Sequence, residues 1–278
     1  MINIKTQKTS FTEIPVNETV ALMYSDNYAE IKSVKIKSDI SNYRRINSDK
    51  YYNHITGEIG LYKNNTENMK SEASLRKTFR KAENVINLNF DGGESEIFLT
   101  LCYDYTMTDT RKLNADYNLF RKKFNRHFPE CVYVTVVEYK RNGSLHLHIF
   151  LKSCNKERLF LDRDLLIKLW GQRGVYIQRI NTREDVKRLI NYINPLVCKK
   201  KRDCLTYYKR NFRILRISQN AVRPKIIKTT YGNALNMLKD LNYKKDNETA
   251  YDIISFSDNQ SIKLNTIKKI QYRKEIVK

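Results

Sequence analysis

Hydrophobic and polar residues follow helical and strand periods from about residue 71 onward. An amphipathic helix is predicted over 71–89, where apolar residues recur at helical spacing: Leu75, Phe79, Ala82, Val85 and Ile86. After a break at residues 91–93, an apolar, β-rich run predicts a strand at 97–103. The same criteria predict helices at 113–127, 162–170 and 182–193, and strands at 131–139, 145–151 and 175–180.

This order of elements predicts an α+β fold with a central, mainly antiparallel sheet flanked by helices. We assign that domain to residues 71–225, where the run FRILRIS adds a further strand. Residues 1–70 form a basic N-terminal extension that could contain short strands or an arm on a nucleic-acid backbone. Residues 226–278 are predicted to be a basic helix and tail without a clear core of their own.

Two histidines lie on the second strand of a predicted hairpin, EYKRNGSLHLHIFL. His146 and His148 alternate with apolar residues, so their imidazoles point to the same face. The rise per residue of a strand separates them by about 6.6 Å. The pair can therefore share one ion.

The register of this hairpin decides whether Glu138 joins the histidines. If Asn142 and Gly143 alone form the turn, the Glu138 carboxylate faces away from the imidazoles. If Arg141 is also in the loop, and Gly143 adopts the left-handed conformation, Glu138 lies across from His146. We favour this three-residue loop. Two imidazoles and one carboxylate with open coordination positions suit Mg²⁺ or Mn²⁺ and could also hold Zn²⁺.

The composition points to nucleic acid as the first partner to consider. The formal net charge is +22, and the chain has 19 tyrosines and 11 phenylalanines, so a cationic surface carries many stacking rings. An anionic membrane surface would explain the charge but not the tyrosines. Cysteine spacing suggests neither a disulfide framework nor a zinc ribbon and favours a reducing compartment: Cys102, Cys131, Cys154, Cys198 and Cys204.

No apolar run approaches the roughly 20 residues that span a bilayer, and the N-terminus lacks the apolar core of a signal peptide. We therefore expect a cytoplasmic protein. The chain also has no phosphate-binding loop sequence of the helicase type, so DNA unwinding would depend on a separate helicase.

A metal ion at the histidines could bind a phosphate, and a tyrosine phenol could then attack that phosphate. Tyr192 is the main candidate, because it lies in a predicted helix just before Pro195 and a basic run. Tyr207 and Tyr208 are alternatives, although their basic neighbours are equally consistent with base stacking and phosphate contacts.

The segments FLTLCY at Phe98, HLHIFL at His146 and the helix of Tyr192 resemble three successive motifs of the HUH endonucleases. Within these, the chain is most similar to the rolling-circle replication initiators of small plasmids and single-stranded DNA phages. The linking run LWGQRGVYIQRI and the basic run RILRISQNAVRP resemble the flanking segments, so the resemblance extends over about 74–225.

The resemblance implies a metal-dependent nickase in which Tyr192 attacks a single-stranded DNA phosphate. The enzyme would keep the 5′ phosphate and release a 3′ hydroxyl for a polymerase. His146, His148 and Glu138 would be the ligands of Mg²⁺ or Mn²⁺. The family commonly has a lysine one helical turn after the tyrosine, but that position is Pro195 here.

A lysine beyond the helix would then have to approach the phosphate, and we expect this to be Lys199 or Lys200. Further basic residues are predicted to bind DNA: Lys201, Arg202, Arg210, Arg213, Arg216 and Arg223. The implied partners are single-stranded DNA at a replication origin, a host helicase and a polymerase. A transposase or mobilisation relaxase would use the same chemistry, and a binding protein that stacks bases without cutting remains an alternative.

Overall fold

The computed structural model describes residues 3–34, 43–47, 50–53, 57–61, 69–155, 157–257 and 260–274. The chain forms two compact units, one from Met1–Glu67 and Lys225–Lys278 and the other from Asn68–Pro224. No helix in these described ranges is long and apolar enough to cross a membrane.

The helices and strands have the following bounds. The strands are β1 (Asn3–Thr9), β2 (Thr19–Tyr24), β3 (Tyr28–Val34), β4 (Tyr43–Arg45), β5 (Lys50–Asn53), β6 (Ile59–Leu61), β7 (Glu96–Leu101), β8 (Val132–Tyr139), β9 (Leu145–Lys152), β10 (Val175–Arg179), β11 (Leu215–Ile217), β12 (Lys225–Thr230), β13 (Tyr243–Ser257) and β14 (Gln260–Lys274). The helices are α1 (Glu72–Asn89), α2 (Thr110–His127), α3 (Arg163–Trp170), α4 (Arg183–Ile193) and α5 (Tyr231–Asp240), and a 3₁₀ helix covers Lys199–Tyr207.

The unit Asn68–Pro224 is built on an antiparallel sheet of strand order β10-β7-β9-β8-β11. Helix α2 packs on one face, where the Tyr117 hydroxyl hydrogen-bonds that of Thr135 on β8 at 2.9 Å. Helix α4 packs on the other face, where the ring of Tyr192 contacts His148 on β9. The structure confirms the predicted α+β fold with an antiparallel sheet flanked by helices.

The predicted apolar stripe of α1 is buried throughout: Leu75, Phe79, Ala82, Val85 and Ile86. Strands β8 and β9 supply the centre of the same core, with nearly every side chain buried. Burial of each large apolar side chain stabilises the fold by roughly 1.5–3 kcal/mol. This core fixes the strand that carries the two histidines.

Helix α4 begins and ends at the residues that its sequence indicates. The Thr182 side chain accepts from the backbone N–H of Asp185, and the Asp185 carboxylate accepts from the backbone N–H of Thr182. This reciprocal pair is a capping box, which satisfies N–H groups that the helix cannot. At the other end Asn194 is the C-cap and Pro195 follows, so Tyr192 lies in the last turn.

The unit formed by both chain ends contains an antiparallel sheet of order β1-β13-β14-β3-β2-β12. Helix α5 was predicted, but the long paired strands β13 and β14 were not. Their sequences are rich in lysine, and their few apolar residues become a core only beside strands from the N-terminal end. Leu22 and Ile31 pack there in one cluster with Ile270 and Tyr272. A third sheet of order β4-β5-β6 occupies part of the segment where short strands were expected.

Candidate metal and nucleophile site

The hairpin between β8 and β9 has the register that places Glu138 with the histidines. The Lys140 N–H donates to the Ser144 carbonyl at 2.8 Å, which closes a loop of three residues. Gly143 has φ +76°, a conformation that a Cβ disfavours. Glu138 therefore pairs with His146 across the strands, and the predicted three-residue loop is confirmed.

Glu138, His146 and His148 converge at the end of this hairpin on the face that α4 covers. The Glu138 Oε2 atom lies 3.1 Å from His146 Nε2 and 2.6 Å from His148 Nε2. All three side chains are at least nine-tenths buried. One ligand atom from each residue lies within 4.8 Å of the others, which is the spacing of neighbouring ligands around one divalent ion. The donor set of two imidazoles and one carboxylate fits Mn²⁺, Mg²⁺ or Zn²⁺.

The electrostatics of the cluster favour an ionised carboxylate and neutral imidazole. Burial by itself would raise the pKa of Glu138, but hydrogen bonds from His146 and His148 outweigh it and lower the pKa below its usual range. Burial lowers the pKa of His148 to about 4, against the opposing effect of the Glu138 hydrogen bond. A carboxylate and a neutral imidazole are the forms that bind a metal ion.

Residues of strand β7 hold His148 from behind. The Thr100 hydroxyl lies 3.0 Å from His148 Nδ1, and the Phe98 ring stacks on the imidazole with centroids 5.2 Å apart. When Nε2 binds a metal ion, Nδ1 carries the proton and donates it to the Thr100 oxygen, which fixes the ring orientation. Both residues belong to the FLTLCY segment, so the sequence marked the strand but not these two contacts.

Tyr192 lies at the edge of the cluster. Its ring is 5.4 Å from the His148 ring, centroid to centroid, and its side chain is 46% exposed. Partial burial and the nearby Glu138 carboxylate raise the pKa of its phenol. The phenol is thus protonated at neutral pH, accessible to solvent and next to the candidate metal ligands.

Lys201 joins this site, although the sequence assigned it only to DNA binding. Its ammonium contacts Glu138 Oε1, donates to the Tyr192 carbonyl at 2.7 Å and lies 3.5 Å from the centre of the Tyr192 ring. The 3₁₀ helix folds back over the end of α4 and brings this lysine to the cluster. The sequence signal was the basic run itself, but its spacing does not tell which lysine faces the tyrosine.

The two lysines proposed for catalysis lie elsewhere or cannot be placed. Lys200 is exposed and lines the cavity of about 330 Å³ that also contains Glu138, His146 and Tyr192. The side chain of Lys199 lies outside the described part of the chain.

The two alternative tyrosines lie away from the cluster. Tyr208 is completely buried, with its ring against Phe79 and Tyr139, so it cannot act as a nucleophile without unfolding this part of the core. The prediction of Tyr208 as an alternative is therefore wrong. Tyr207 is 37% exposed, but its hydroxyl donates to the Arg141 carbonyl at 3.2 Å, on the hairpin loop.

The predicted DNA-binding residues separate into buried and exposed members. Arg216 is buried beneath α2, where it hydrogen-bonds Asn114 and lies over the Tyr117 ring. It points to this face because neighbouring residues of a strand alternate, and a phosphate cannot reach it. The predicted DNA contact of Arg216 is therefore wrong. The exposed members are Arg202, Arg210, Arg213 and Arg223.

Comparison with known protein families gives one match, over residues 96–200, to a family of replication-associated proteins of the ORF2 type. The matched segment runs from β7 to the start of the 3₁₀ helix and contains the Glu138 cluster and Tyr192. No curated protein and no solved structure matches the chain. The matched segment, a little over a third of the chain, is that of a rolling-circle replication family, and the resemblance to replication initiators is confirmed.

Proposed function

We propose that this protein initiates rolling-circle replication by nicking single-stranded DNA through a covalent link to Tyr192. The observation that carries the proposal is the contact between Tyr192 and His148 at a buried cluster of two imidazoles and one carboxylate. The family match supports replication initiation, and the cluster supports metal-assisted phosphoryl chemistry.

The reaction exchanges one phosphodiester for another. The Tyr192 oxygen bonds to phosphorus, the bond from phosphorus to the 3′ oxygen breaks, and the 5′ phosphate stays on the tyrosine. The phenol loses its proton, and the leaving 3′ oxygen gains one, so charge and atoms balance. The reverse attack by a 3′ hydroxyl reseals the strand. A divalent ion held by Glu138, His146 and His148 supplies positive charge to a phosphate oxygen.

The protein's own residues position the nucleophile and offset charge. Helix α4 holds the Tyr192 ring against His148, and Thr100 orients that imidazole. Lys201 takes the place that the resemblance gives to a lysine on the helix, because its ammonium lies over the Tyr192 ring. A cation there stabilises a phenolate and the charge that develops on the phosphate.

The partners follow from this chemistry. A single strand at a replication origin is the substrate, a host polymerase extends the freed 3′ hydroxyl, and a host helicase opens the duplex. These steps would take place in the cytoplasm.

The test is cleavage of labelled single-stranded origin DNA by the purified full chain with Mn²⁺ or Mg²⁺. We expect one labelled fragment with a free 3′ hydroxyl, extendable by a polymerase, and no cleavage in EDTA or with His146→Ala. Tight binding without cleavage under every metal condition would contradict the proposal and favour a binding protein. Equal cleavage by His146→Ala would contradict the role of the cluster.

A further inference from the structure

A strongly cationic cleft lies on the unit Asn68–Pro224, between helix α1 and the edge strand β11. It has a volume of about 370 Å³. Five basic residues line it: Lys70, Lys77, Lys81, Arg213 and Arg223. No acidic residue lines it, and among the described residues no carboxylate forms an ion pair with any of the five.

Part of this cleft is held in place by hydrogen bonds to backbone carbonyls. Lys70 donates to the Arg210 carbonyl at 2.6 Å, and Arg213 donates to the Leu215 carbonyl at 3.3 Å. Arg223 donates to the Ser218 carbonyl at 3.0 Å. An ammonium has three N–H donors and a guanidinium five, so each cation keeps donors for a ligand. Lys77 and Lys81 are exposed one turn apart on α1.

The cleft lies on the same face of the sheet as the candidate metal site. Leu215 pairs with Val136 on β8, and residues paired across antiparallel strands share a face. Glu138 is two residues further along β8, so strand geometry puts the Cα of Leu215 about 8 Å from that of Glu138. A strand of DNA held at Tyr192 can therefore continue into the cleft.

We propose that this cleft binds the sugar-phosphate backbone of the single strand that is nicked, away from the scissile phosphate. The inference rests on the proposed function for the identity of the strand. Its residues lie outside the segment 96–200 that the family match covers. Lysine and arginine without acidic partners bind phosphates without reading base sequence. A cleft of this size admits one strand and excludes a duplex.

The test is the salt dependence of binding to a single-stranded oligonucleotide, measured in EDTA so that no cleavage occurs. Each phosphate contact contributes about 0.7 to the slope of log affinity against log salt for single strands. The double variant Lys77→Gln/Lys81→Gln should bind more weakly at every sequence, with a slope shallower by roughly 0.7–1.4. The matched control is Lys122→Gln/Arg126→Gln on α2, which has the same spacing on the opposite face, and its slope should stay that of the unmodified chain.

An unchanged slope in the double variant would overturn the proposal, as would a change seen with duplex DNA only. Titration with a mononucleotide such as dTMP separates the strand from a free phosphate ligand. If dTMP binds as tightly as the oligonucleotide, and Lys77→Gln/Lys81→Gln abolishes that binding, the cleft is a nucleotide site instead. A chain that shows the slope change but never cleaves DNA leaves the cleft intact and contradicts only the nickase proposal.

Discussion

His148 is the residue on which the most contacts of the site depend. It touches the carboxylate of Glu138, the hydroxyl of Thr100 and the rings of Phe98 and Tyr192. Its imidazole therefore links the candidate metal site to the candidate nucleophile. Substitutions around it separate the effects on metal binding, catalysis and stability.

Loss of the Thr100 hydroxyl should weaken metal binding without removing a ligand. Thr100→Val leaves His148 Nδ1 without its partner, and changes of this kind typically cost 10–100-fold in metal affinity. Titration with Mn²⁺ followed by electron paramagnetic resonance measures the affinity. Thr135→Val is the control, because Thr135 is buried on the opposite face and bonds Tyr117. Equal affinities for the two variants would contradict the orienting role of Thr100.

Removal of the Lys201 ammonium should affect metal binding and cleavage in opposite directions. Lys201 contacts the Glu138 carboxylate, so it competes with a metal ion for that anion, and Lys201→Met should bind Mn²⁺ more tightly. Cleavage at saturating Mn²⁺ should nevertheless slow by about 10²-fold, because positive charge beside Tyr192 is lost. Single-turnover rates and Mn²⁺ titrations measure both. The exposed Lys200→Met should change neither, and weaker Mn²⁺ binding by Lys201→Met would refute this account.

Stability of the metal-free protein should fall in acid. The unfolded pKa of histidine is about 6.5, and burial lowers the pKa of folded His148 to about 4. The unfolded chain thus binds a proton first, so stability is full above about pH 6.5 and declines as pH falls toward 4. The lowered pKa of Glu138 extends the loss to lower pH. Urea midpoints in EDTA measure this, and His148→Phe should show a shallower decline between pH 6.5 and 4 than the unmodified chain.

At the scale of elements, the hairpin and α4 could be predicted because their signals are local. The turn residues and strand alternation determine the Glu138 register, and the Thr182 capping box determines where α4 begins. The position of Lys201 could not be predicted, because the path of the 3₁₀ helix depends on packing. Strands β13 and β14 were missed for the same reason, since their core comes from distant segments of the chain.

Gly92 should be essential for placing α4 against the sheet. It has φ +87°, and a Cβ there would lie 2.5 Å from the carbonyl carbon of Thr182, the N-cap of α4. Gly92→Ala should destabilise the unit by about 2–5 kcal/mol through backbone strain and overpacking together. Gly171→Ala separates the two effects, because Gly171 has φ +79° with open space around it and should cost only about 1–2 kcal/mol. Chemical denaturation measures both, and equal losses would contradict the close approach.

At the scale of the whole molecule, charge and family evidence fall on different parts of the chain. The net charge of +22 is spread over both units, whereas the family match and the candidate site lie within Asn68–Pro224. The sequence indicated this division of chemistry through its three motifs. It did not indicate that the two chain ends build one sheet, because neither end alone has enough apolar residues for a core.

The central claim is that Tyr192 becomes covalently attached to the 5′ phosphate of the cut strand. The most direct measurement is peptide mapping by mass spectrometry after the full chain has reacted with single-stranded origin DNA and Mn²⁺. We predict a nucleotide adduct on the peptide that contains Tyr192, absent from Tyr192→Phe and retained in Tyr207→Phe. An adduct on Tyr207, or cleavage that leaves no adduct on any tyrosine, would contradict the account.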